Sequence, residues 1–464
     1  MIERREFNKQ LAGLALISML PGNPGFLAGS RPAAKSTGIM ISQVGSDFER
    51  EPLVRPFGFK GSYMNEIWQT VCMLESPAGI RKFGLCSQSI LWSDASVFSS
   101  HSESGGNALM YAMTEYALNL VRGKSFENPV QLLDTILPEV YEYGKTITKN
   151  ANLRKTFALN SLVGLDNAAW LLFADQNRMN TFDEMIPEPY RPALALHHRE
   201  AACIPLIPYN LPVSEITRLA EEGYFFMKIK IGQPGSQKEM LEKDKQRLTE
   251  IHEAIGNART THTQNGKIPY YFDANGRYED KESLMQFLSH AEKIHAFDQV
   301  VLVEEPFPED KEIDVSGIGV TLAADESAHT DEDVLRRIQM GYKAIALKAI
   351  AKTLSMTMKM AKAAYENQVP CFCADLTVNP ILVDWNKNVA ARLAPFPGFD
   401  IGLLETNGSQ NYKNWETMSS YHPYPDASWR KIKNGVFILN KDFYEKSGGI
   451  FAESPHYADL FKKG

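Results

Sequence analysis

Five short apolar runs in the second half of the chain each end in charged residues. The runs span 224–227, 270–272, 300–303, 321–324 and 344–347. The residues that follow them are Lys228 and Lys230, Asp273, Glu304, Asp325 and Lys348. Their intervals of roughly 20 to 45 residues suit one strand-plus-helix unit each. Buried strands with a charge at the carboxyl end predict a (β/α)8 barrel, an α/β fold, with its active face at that end.

The remaining apolar patterns complete this barrel. We expect a first strand at 204–209, a helix from Ser214, and a second strand at 224–231. Helical spacing covers 237–255, 280–294, 331–340 and 353–366. A seventh strand is predicted at 370–375 and an eighth at 402–405, which ends in Glu405. The barrel therefore spans 204–405.

The first half of the chain predicts an α+β domain over 38–195. Residues 38–55 read as extended, 68–75 and 80–86 as a hairpin, and 93–107 as a Ser/Gly/Asn-rich loop. Helical spacing covers 108–149, with an interruption at 123–129, and 160–175. The turn-rich segment 406–464 is expected to pack back on this domain.

Composition excludes some classes of protein. A chain of 464 residues, 44% hydrophobic, can bury a barrel core and a second domain. The net charge is −7, and no basic patch alternates with aromatics, so nucleic acid is not an expected partner. The five cysteines are scattered without a CxxC pair and predict no disulfide framework.

The N-terminus predicts export. Arg4 and Arg5 precede Phe7 and Lys9, and an apolar stretch over 11–20 follows. This order is typical of a twin-arginine (Tat) signal, and the stretch is too short for a permanent membrane span. We expect a signal peptide over 1–34, the Tat machinery as a partner in transit, and a periplasmic or exported location.

Three of the strand-end residues are carboxylates, Asp273, Glu304 and Asp325. Three anions on successive strands repel one another unless a cation or a proton relieves them. Mg²⁺ takes oxygen ligands, and no His or Cys stands in the same register, so Mg²⁺ (or Mn²⁺) is the predicted cofactor. The alternative is that each acid only caps the helix that follows.

The lysines predict proton transfer. Lys228 and Lys230, two apart on a strand, share one face, and two neighbouring ammonium groups lower each other's pKa. A lysine of lowered pKa can act as a general base. Lys348 lies on the sixth strand, almost opposite the second, and could serve the other face of a substrate. The alternatives are an edge strand with solvated lysines and, for Lys348, a surface lysine.

The ordered set resembles the enolase superfamily, specifically its muconate lactonizing enzyme and dipeptide epimerase-like subgroup. Five segments match its motifs in order: Lys228-Ile229-Lys230, Asp273-Ala274-Asn275, Glu304-Glu305-Pro306, Asp325-Glu326-Ser327 and Lys348, with Glu405 as a further match. The resemblance implies an enolase-type barrel with an N-terminal α+β capping domain. It implies catalysis by Lys228, Lys230 and Lys348, metal binding by Asp273, Glu304 and Asp325, and support from Asn275, Glu326 and Glu405. Homo-oligomers are common in the family.

The sequence departs from the family pattern in places. No Gly-Gly follows Lys348, and Lys352 could compete for its role. The interval before Asp273 implies an insertion at 256–267. No His stands near strand seven, which disfavours the mandelate racemase subgroup. Substrate contacts are expected from the capping loops 55–63 and 93–107, with Lys60 and Tyr63 as candidates.

The resemblance implies abstraction of the proton alpha to a substrate carboxylate, through a Mg²⁺-stabilised enediolate. The predicted enzyme is a racemase or epimerase of an amino-acid or dipeptide-like carboxylate, and its partner is a small molecule. A cycloisomerase or a dehydratase/synthase (a lyase) of the same superfamily is the alternative. Two other possibilities remain: a glycosidase-like barrel using Glu304 or Glu305, and a non-catalytic exported barrel that holds a metal.

Overall fold

The computed structural model of the chain describes residues 38–59 and 62–462. The predicted signal segment 1–34 and the candidate Lys60 lie outside the described residues, so both stay predictions.

A three-stranded antiparallel sheet opens the described chain. Its strands, in spatial order, are β2 (Gln43–Phe59), β3 (Ser62–Glu75) and β4 (Arg81–Gln88), and β1 (Ile39–Met40) pairs instead with β5 (Ser125–Phe126). The helices of this part are α1 (Ile90–Ser93), α2 (Ala95–His101), α3 (Glu103–Val121), α4 (Pro129–Thr148), α5 (Lys155–Gln176) and α6 (Phe182–Met185). A 3₁₀ helix at Glu188–Leu194 leads to the barrel.

The predicted loop over 93–107 is wrong, because most of it is helical. Its polar residues act as helix caps. The Asp94 carboxylate accepts hydrogen bonds from the backbone N–H groups of Ser96 and Val97, and the Ser102 hydroxyl accepts one from Gly105. Side chains that satisfy the free N–H groups of a helix start are the same ones that favour loops. Amino-acid composition alone therefore could not distinguish a loop from a series of capped helices.

Helix α5 is apolar on nearly all sides and is the core of the capping domain. It is the one described helix long and apolar enough to cross a membrane, but 89% of that window is buried inside the protein. It packs on β4 so closely that a Cβ at Gly84 would overlap the carbonyl oxygen of Gly164. Close backbone approach of a strand and a helix is a usual reason for glycine in a strand.

Eight parallel strands close into the barrel. The first is interrupted at Pro205, so that β6 (Glu200–Ile204) pairs with the last strand and β7 (Leu206–Ile207) pairs with the second. The others, in spatial order, are β8 (Met227–Lys230), β9 (Tyr270–Asp273), β10 (Val300–Glu304), β11 (Leu322–Ala324), β12 (Ala344–Leu347), β13 (Cys371–Cys373) and β14 (Gly402–Glu405). The predicted fold class is confirmed.

Apolar side chains fill the barrel interior below its charged end. Phe226, Tyr271, Leu302 and Phe372 belong to this interior cluster and are 0% exposed. Because Tyr271 and Leu302 lie two positions before Asp273 and Glu304, they share a face with them one layer lower. This packed apolar layer lies directly below the charged side chains, excludes water from that side and fixes their positions.

Helices surround the barrel, with one exception. They are α7 (Val213–Glu221), α8 (Gln237–Ile255), α9 (Lys281–Lys293), α10 (Asp331–Gln339), α11 (Leu354–Glu366) and α12 (Pro380–Ala390), and a 3₁₀ turn at Phe297–Gln299 precedes β10. Residues 305–321, all of them described, contain no helix, so the expectation of a helix in every unit is wrong here. Pro306, Pro308, Gly317 and Gly319 explain this, since proline and glycine both disfavour a helix interior.

The C-terminal segment contacts both parts of the molecule. It contains α13 (Gly408–Asn411), α14 (Trp415–Ser420), β15 (Ile432–Lys433), β16 (Val436–Ile438), α15 (Lys441–Lys446) and α16 (Pro455–Asp459), with 3₁₀ turns at Ser428–Arg430 and Ser447–Gly449. Strand β16 pairs antiparallel with β6. On the capping side, Tyr412 bridges to Leu53, and the His456 ring lies 2.9 Å from the Glu49 carboxylate.

Candidate active site

The sequence-predicted charges meet at the carboxyl end of the barrel. Lys230 stands opposite Asp273 in the sheet register, and Asp273 stands opposite Glu304. Asp325 and Lys348 directly follow β11 and β12. Parallel strands place these ends around one opening, so residues distant in sequence become neighbours.

Lys228 lies at the centre of three carboxylates. Its Nζ is 3.0 Å from Asp273 Oδ2, 2.9 Å from Glu304 Oε1 and 3.1 Å from Glu405 Oε2. Burial alone would lower the pKa of Lys228, but the three carboxylates raise it well above its ordinary value. The expectation that the paired lysines lower each other's pKa is therefore wrong for Lys228. This lysine stays protonated and balances the acids.

Lys230 is held differently and reaches the pocket. Its Nζ donates to Asp273 Oδ2 at 2.6 Å and to Asn275 Oδ1 at 2.5 Å. The Asn275 amide in turn donates to Glu326 Oε1 at 2.9 Å. Asn275 has a positive φ of 45°, a backbone conformation that asparagine tolerates better than most residues. The supporting residues Asn275 and Glu326 thus orient the amine of Lys230.

Lys348 faces the same pocket from β12. Its Nζ lies 2.5 Å from Asp325 Oδ2 and 4.4 Å from the centroid of the Trp92 ring. Burial lowers its pKa, but Asp325, Glu326 and Glu304 together outweigh burial, and the pKa is raised. Lys352, the possible competitor, is buried behind Asp325 and donates to the Asp325 carbonyl at 2.8 Å. Lys348 lines the pocket and Lys352 does not.

The carboxylates suit a divalent cation. Oxygens of Glu304, Asp325 and Glu326 lie within 4.8 Å of one another, and all three side chains are buried. Glu326 Oε2 has no hydrogen-bond partner among the described residues, and Asp325 Oδ2 is held by the ion pair with Lys348. Burial and the nearby Asp273 raise the pKa of Glu304 well above its ordinary value, because the acids crowd one another. Buried carboxylate oxygens are ligands that Mg²⁺ prefers, and the charge of a bound cation would relieve the repulsion between these acids.

Asp273 stands beside this metal cluster. Its pKa is lowered to about 2: burial opposes ionisation, but Lys228 and Lys230 outweigh it. In this arrangement Asp273 is the partner of two lysines, whereas Glu326, predicted as a supporting residue, lies with Glu304 and Asp325. The assignment of Asp273 as a metal ligand remains a prediction.

Glu305 positions the loop that carries two of the acids. Its Oε2 accepts hydrogen bonds from the backbone N–H of Asp325 at 2.8 Å and from the hydroxyl of Ser327 at 3.0 Å. Burial, and then Glu326, raise the pKa of Glu305 to about 7. Glu305 does not line the pocket. Glu304 does not line it either, so neither acid named in the glycosidase alternative faces a substrate in this pocket, which disfavours that alternative.

The pocket residues that sequence reasoning missed include Asp375 and Trp92. Asp375 follows the seventh apolar run just as the other acids follow theirs, so the same pattern could have revealed it; burial and Glu405 raise its pKa to about 6. Trp92, from the capping domain, had no such signal. Its indole is 6% exposed, and its Nε1 has no hydrogen-bond partner in the described part of the chain.

The capping domain covers the opening. Phe57, Met64, Leu91 and Trp92 line the pocket together with the barrel residues. The candidate Tyr63 is 63% exposed and lines a neighbouring cavity instead. A cover of apolar side chains excludes water from the lysines and the acids.

Comparisons with known proteins agree with this geometry. Residues 213–401 match the family model described as "Enolase C-terminal domain-like". No curated protein sequence matches the chain. The predicted resemblance to the enolase superfamily is thereby confirmed for residues 213–401 of the barrel.

Solved structures share the fold over most of the described chain at low sequence identity. A mandelate racemase/muconate lactonizing protein from Herpetosiphon aurantiacus superposes with a TM-score of 0.61 at 16% identity, covering 87% of this chain and 97% of that one. A dipeptide epimerase from Enterococcus faecalis V583, complexed with Mg and L-Leu-L-Tyr, gives 0.58 at 16%, covering 81% and 92%. An N-succinyl Arg/Lys racemase from Bacillus cereus gives 0.57 at 15%, covering 81% and 89%.

Proposed function

We propose that the protein removes the proton alpha to the carboxylate of a small substrate, with Mg²⁺ (or Mn²⁺) as cofactor. We further propose that it is a racemase or epimerase of an amino-acid or dipeptide-like carboxylate. The observation that carries the proposal is the placement of Lys230 and Lys348, which line one pocket from two different strands, beside a cluster of buried carboxylates.

Glu304, Asp325 and Glu326, with Asp273 beside them, would hold the metal. When bound, Mg²⁺ would stabilise negative charge that develops on the substrate carboxylate and would weaken the attraction of these acids for the lysines. Oxygen ligands and the lack of His or Cys among the lining residues support this choice of metal.

The two lysines would act on opposite faces of the alpha carbon. Lys230 belongs to the second strand and Lys348 to the sixth, so they approach the pocket from different sides of an eight-stranded ring. One amine takes the alpha proton, and the other ammonium gives a proton to the other face, which inverts the carbon. Lys228 stays protonated among its three carboxylates and takes no part in the transfer.

Two relatives support stereochemical inversion, because they are an epimerase of dipeptides and a racemase. A cycloisomerase or dehydratase would start from the same proton abstraction and then break or form another bond. Abstraction of the alpha proton and the identity of the product can therefore be tested separately.

The test is solvent exchange of the alpha proton. The protein is incubated with Mg²⁺ in ²H₂O and a panel of dipeptides and N-acyl amino acids, and proton NMR follows the alpha signal. We expect loss of that signal with inversion for at least one compound, and loss of the inversion in K230A and K348A but not in the exposed-lysine control K238A. A product lighter by one water would favour the dehydratase, and an isomer with a new ring or an opened ring would favour the cycloisomerase. Metal binding without any exchange would contradict the proposal and favour a non-catalytic barrel.

We also propose that the chain is exported by the Tat machinery, on the strength of Arg4, Arg5 and the apolar stretch 11–20. In a bacterium with an active Tat system, replacing both arginines with lysine should retain the protein inside the cell, since charge is kept and only the arginine pair is lost. Unchanged export of that variant, measured by cell fractionation, would contradict this proposal.

A further inference from the structure

A second, larger cavity adjoins the pocket. Its volume is about 430 Å³, and its walls include Phe57, Lys230 and Asn275, which also line the pocket. We call it the outer cavity. Because the two share Lys230, a substrate whose alpha carbon lies near that amine would extend its remaining atoms into the outer cavity. The residues of this cavity therefore decide what the far end of the substrate is.

The lining of the outer cavity is cationic. It contains Arg55, Lys230 and Arg277, and among its described lining residues there is no Asp or Glu. The whole chain, by contrast, carries a net charge of −7. A cavity lined by one sign of charge attracts the opposite charge, and the effect is strongest where low-dielectric walls limit solvent.

Arg277 is fixed in place by its backbone surroundings. It follows Asn275 and Gly276, with positive φ values of 45° and 72°, so the chain turns sharply directly after β9. The Gln237 amide donates to the Arg277 carbonyl at 2.9 Å. Gly232 has no side chain where Arg277 packs, and a Cβ there would lie 2.6 Å from the Cβ of Arg277. The base of this side chain is thus held by a turn, a hydrogen bond and a glycine.

The guanidinium of Arg277 has donors to offer. Among the residues that the structure describes, none forms a hydrogen bond or an ion pair with it. The buried Arg154 and Arg392, in contrast, each pair with a carboxylate of the protein. The planar fork of an arginine matches a carboxylate with two parallel hydrogen bonds.

Given the proposed function, we infer that the substrate carries a second carboxylate at its far end, and that Arg277 binds it in the outer cavity. Phe57 and Tyr209 line the cavity and offer contacts to the atoms between the two carboxylates. The nearby start of α8 is not an alternative anion site, because Glu239 already accepts from the Ser236 N–H and hydroxyl. We therefore assign specificity for the second carboxylate to the side chain of Arg277.

The test compares three amides of one amino acid that differ only in terminal charge: N-succinyl (anionic), N-butanoyl (neutral) and N-β-alanyl (cationic). Each is prepared for several amino acids. Binding to the full-length protein with Mg²⁺ is measured by calorimetry, and alpha-proton exchange is measured in parallel. Because a charged hydrogen-bonded pair is at stake, the best succinyl compound should bind about 10- to 100-fold more tightly than its butanoyl partner. R277Q should abolish this difference in affinity between the succinyl and butanoyl compounds, and R277K should reduce it. The exposed-arginine control R259Q should leave it unchanged.

The two readouts separate this inference from the proposed function. Selective binding of the succinyl compounds without any exchange would support Arg277 as the carboxylate site and refute the proton-transfer function. Exchange with equal affinity for succinyl and butanoyl compounds would support the function and overturn this inference. A succinyl preference that survives in R277Q, or no binding of any succinyl compound, would also overturn it. Circular dichroism of R277Q checks that the fold is intact.

Discussion

Arg154 ties the capping domain to the barrel at the edge of the pocket. It stands just before α5, with a side chain 13% exposed, and pairs with Glu309 through two bonds of 2.7 and 2.5 Å. Its guanidinium also donates to the carbonyls of Trp92 at 2.8 Å, Ser93 at 3.2 Å and Glu326 at 2.9 Å. The perturbation that isolates this connection is R154M, which keeps an unbranched side chain and removes the charge and all the donors.

The structure sets the size of the effect. Breaking a buried ion pair costs about 3–5 kcal/mol when the remaining charge cannot be hydrated. Glu309 is 26% exposed and can recover some hydration, which reduces the cost, whereas the carbonyls of Trp92 and Glu326 lose their donor, which adds to it. We therefore expect R154M to lower the free energy of unfolding by about 2–4 kcal/mol.

Arg50 and Glu66 provide a matched control. They form the same two-bond pair, at 2.9 and 2.9 Å, but the Arg50 side chain is 53% exposed. Exposed pairs contribute below about 1 kcal/mol.

Double-mutant cycles measured by urea unfolding should give a coupling of about 2 kcal/mol for R154M with E309Q, and well under 1 kcal/mol for R50M with E66Q. R154M should also slow alpha-proton exchange, since the carbonyls of Trp92 and Glu326 that it leaves belong to residues that line the pocket. Equal coupling in the two cycles, or full exchange activity in R154M, would refute this reasoning.

Three further predictions follow from single sites. Burial raises the pKa of Asp166 from 3.8 to about 7, so its contribution to stability is full below pH 4 and is lost as the pH rises toward 7; urea midpoints should show this decline in the wild type and not in D166N. Mg²⁺ should raise the melting temperature of the wild type and of the control D310N, which lies in the helix-free segment 305–321. An equal rise in melting temperature in D325N would contradict the metal site. G84A should destabilise by about 1–3 kcal/mol because of overlap with α5, whereas G319A, whose added Cβ would contact only Phe297 at an ordinary 3.8 Å, should be neutral in the same unfolding assay.

The strand-end residues of the site could be predicted from the sequence for a physical reason. A parallel barrel places consecutive strand ends around one opening, so the order of Lys230, Asp273, Glu304 and Lys348 along the chain already fixes their neighbourhood. The apolar runs before them are local signals that do not depend on the rest of the fold. The superfamily followed from the same ordered set.

Other features depend on contacts that the sequence does not announce. Trp92 reaches Lys348 only because α1 of the capping domain lies over the barrel, and the outer cavity exists only between those two parts. Lys228 differs from Lys230, two positions away, because three acids from other strands enclose it. The prolines and glycines of 305–321 disfavour a helix there. The helix was nevertheless expected, because the interval between the strand ends Glu304 and Asp325 suits a strand-plus-helix unit.

The most direct measurement of the central claim is enantiomer-resolved exchange in single-lysine variants. For the best substrate of the panel, alpha-proton exchange in ²H₂O is followed separately for the two configurations at that carbon, in K230A and in K348A, each checked by circular dichroism. We expect mirror-image results: each variant loses exchange for one configuration and retains it for the other. Equal and undiminished exchange of both configurations in K348A would contradict the assignment of two lysines to two faces.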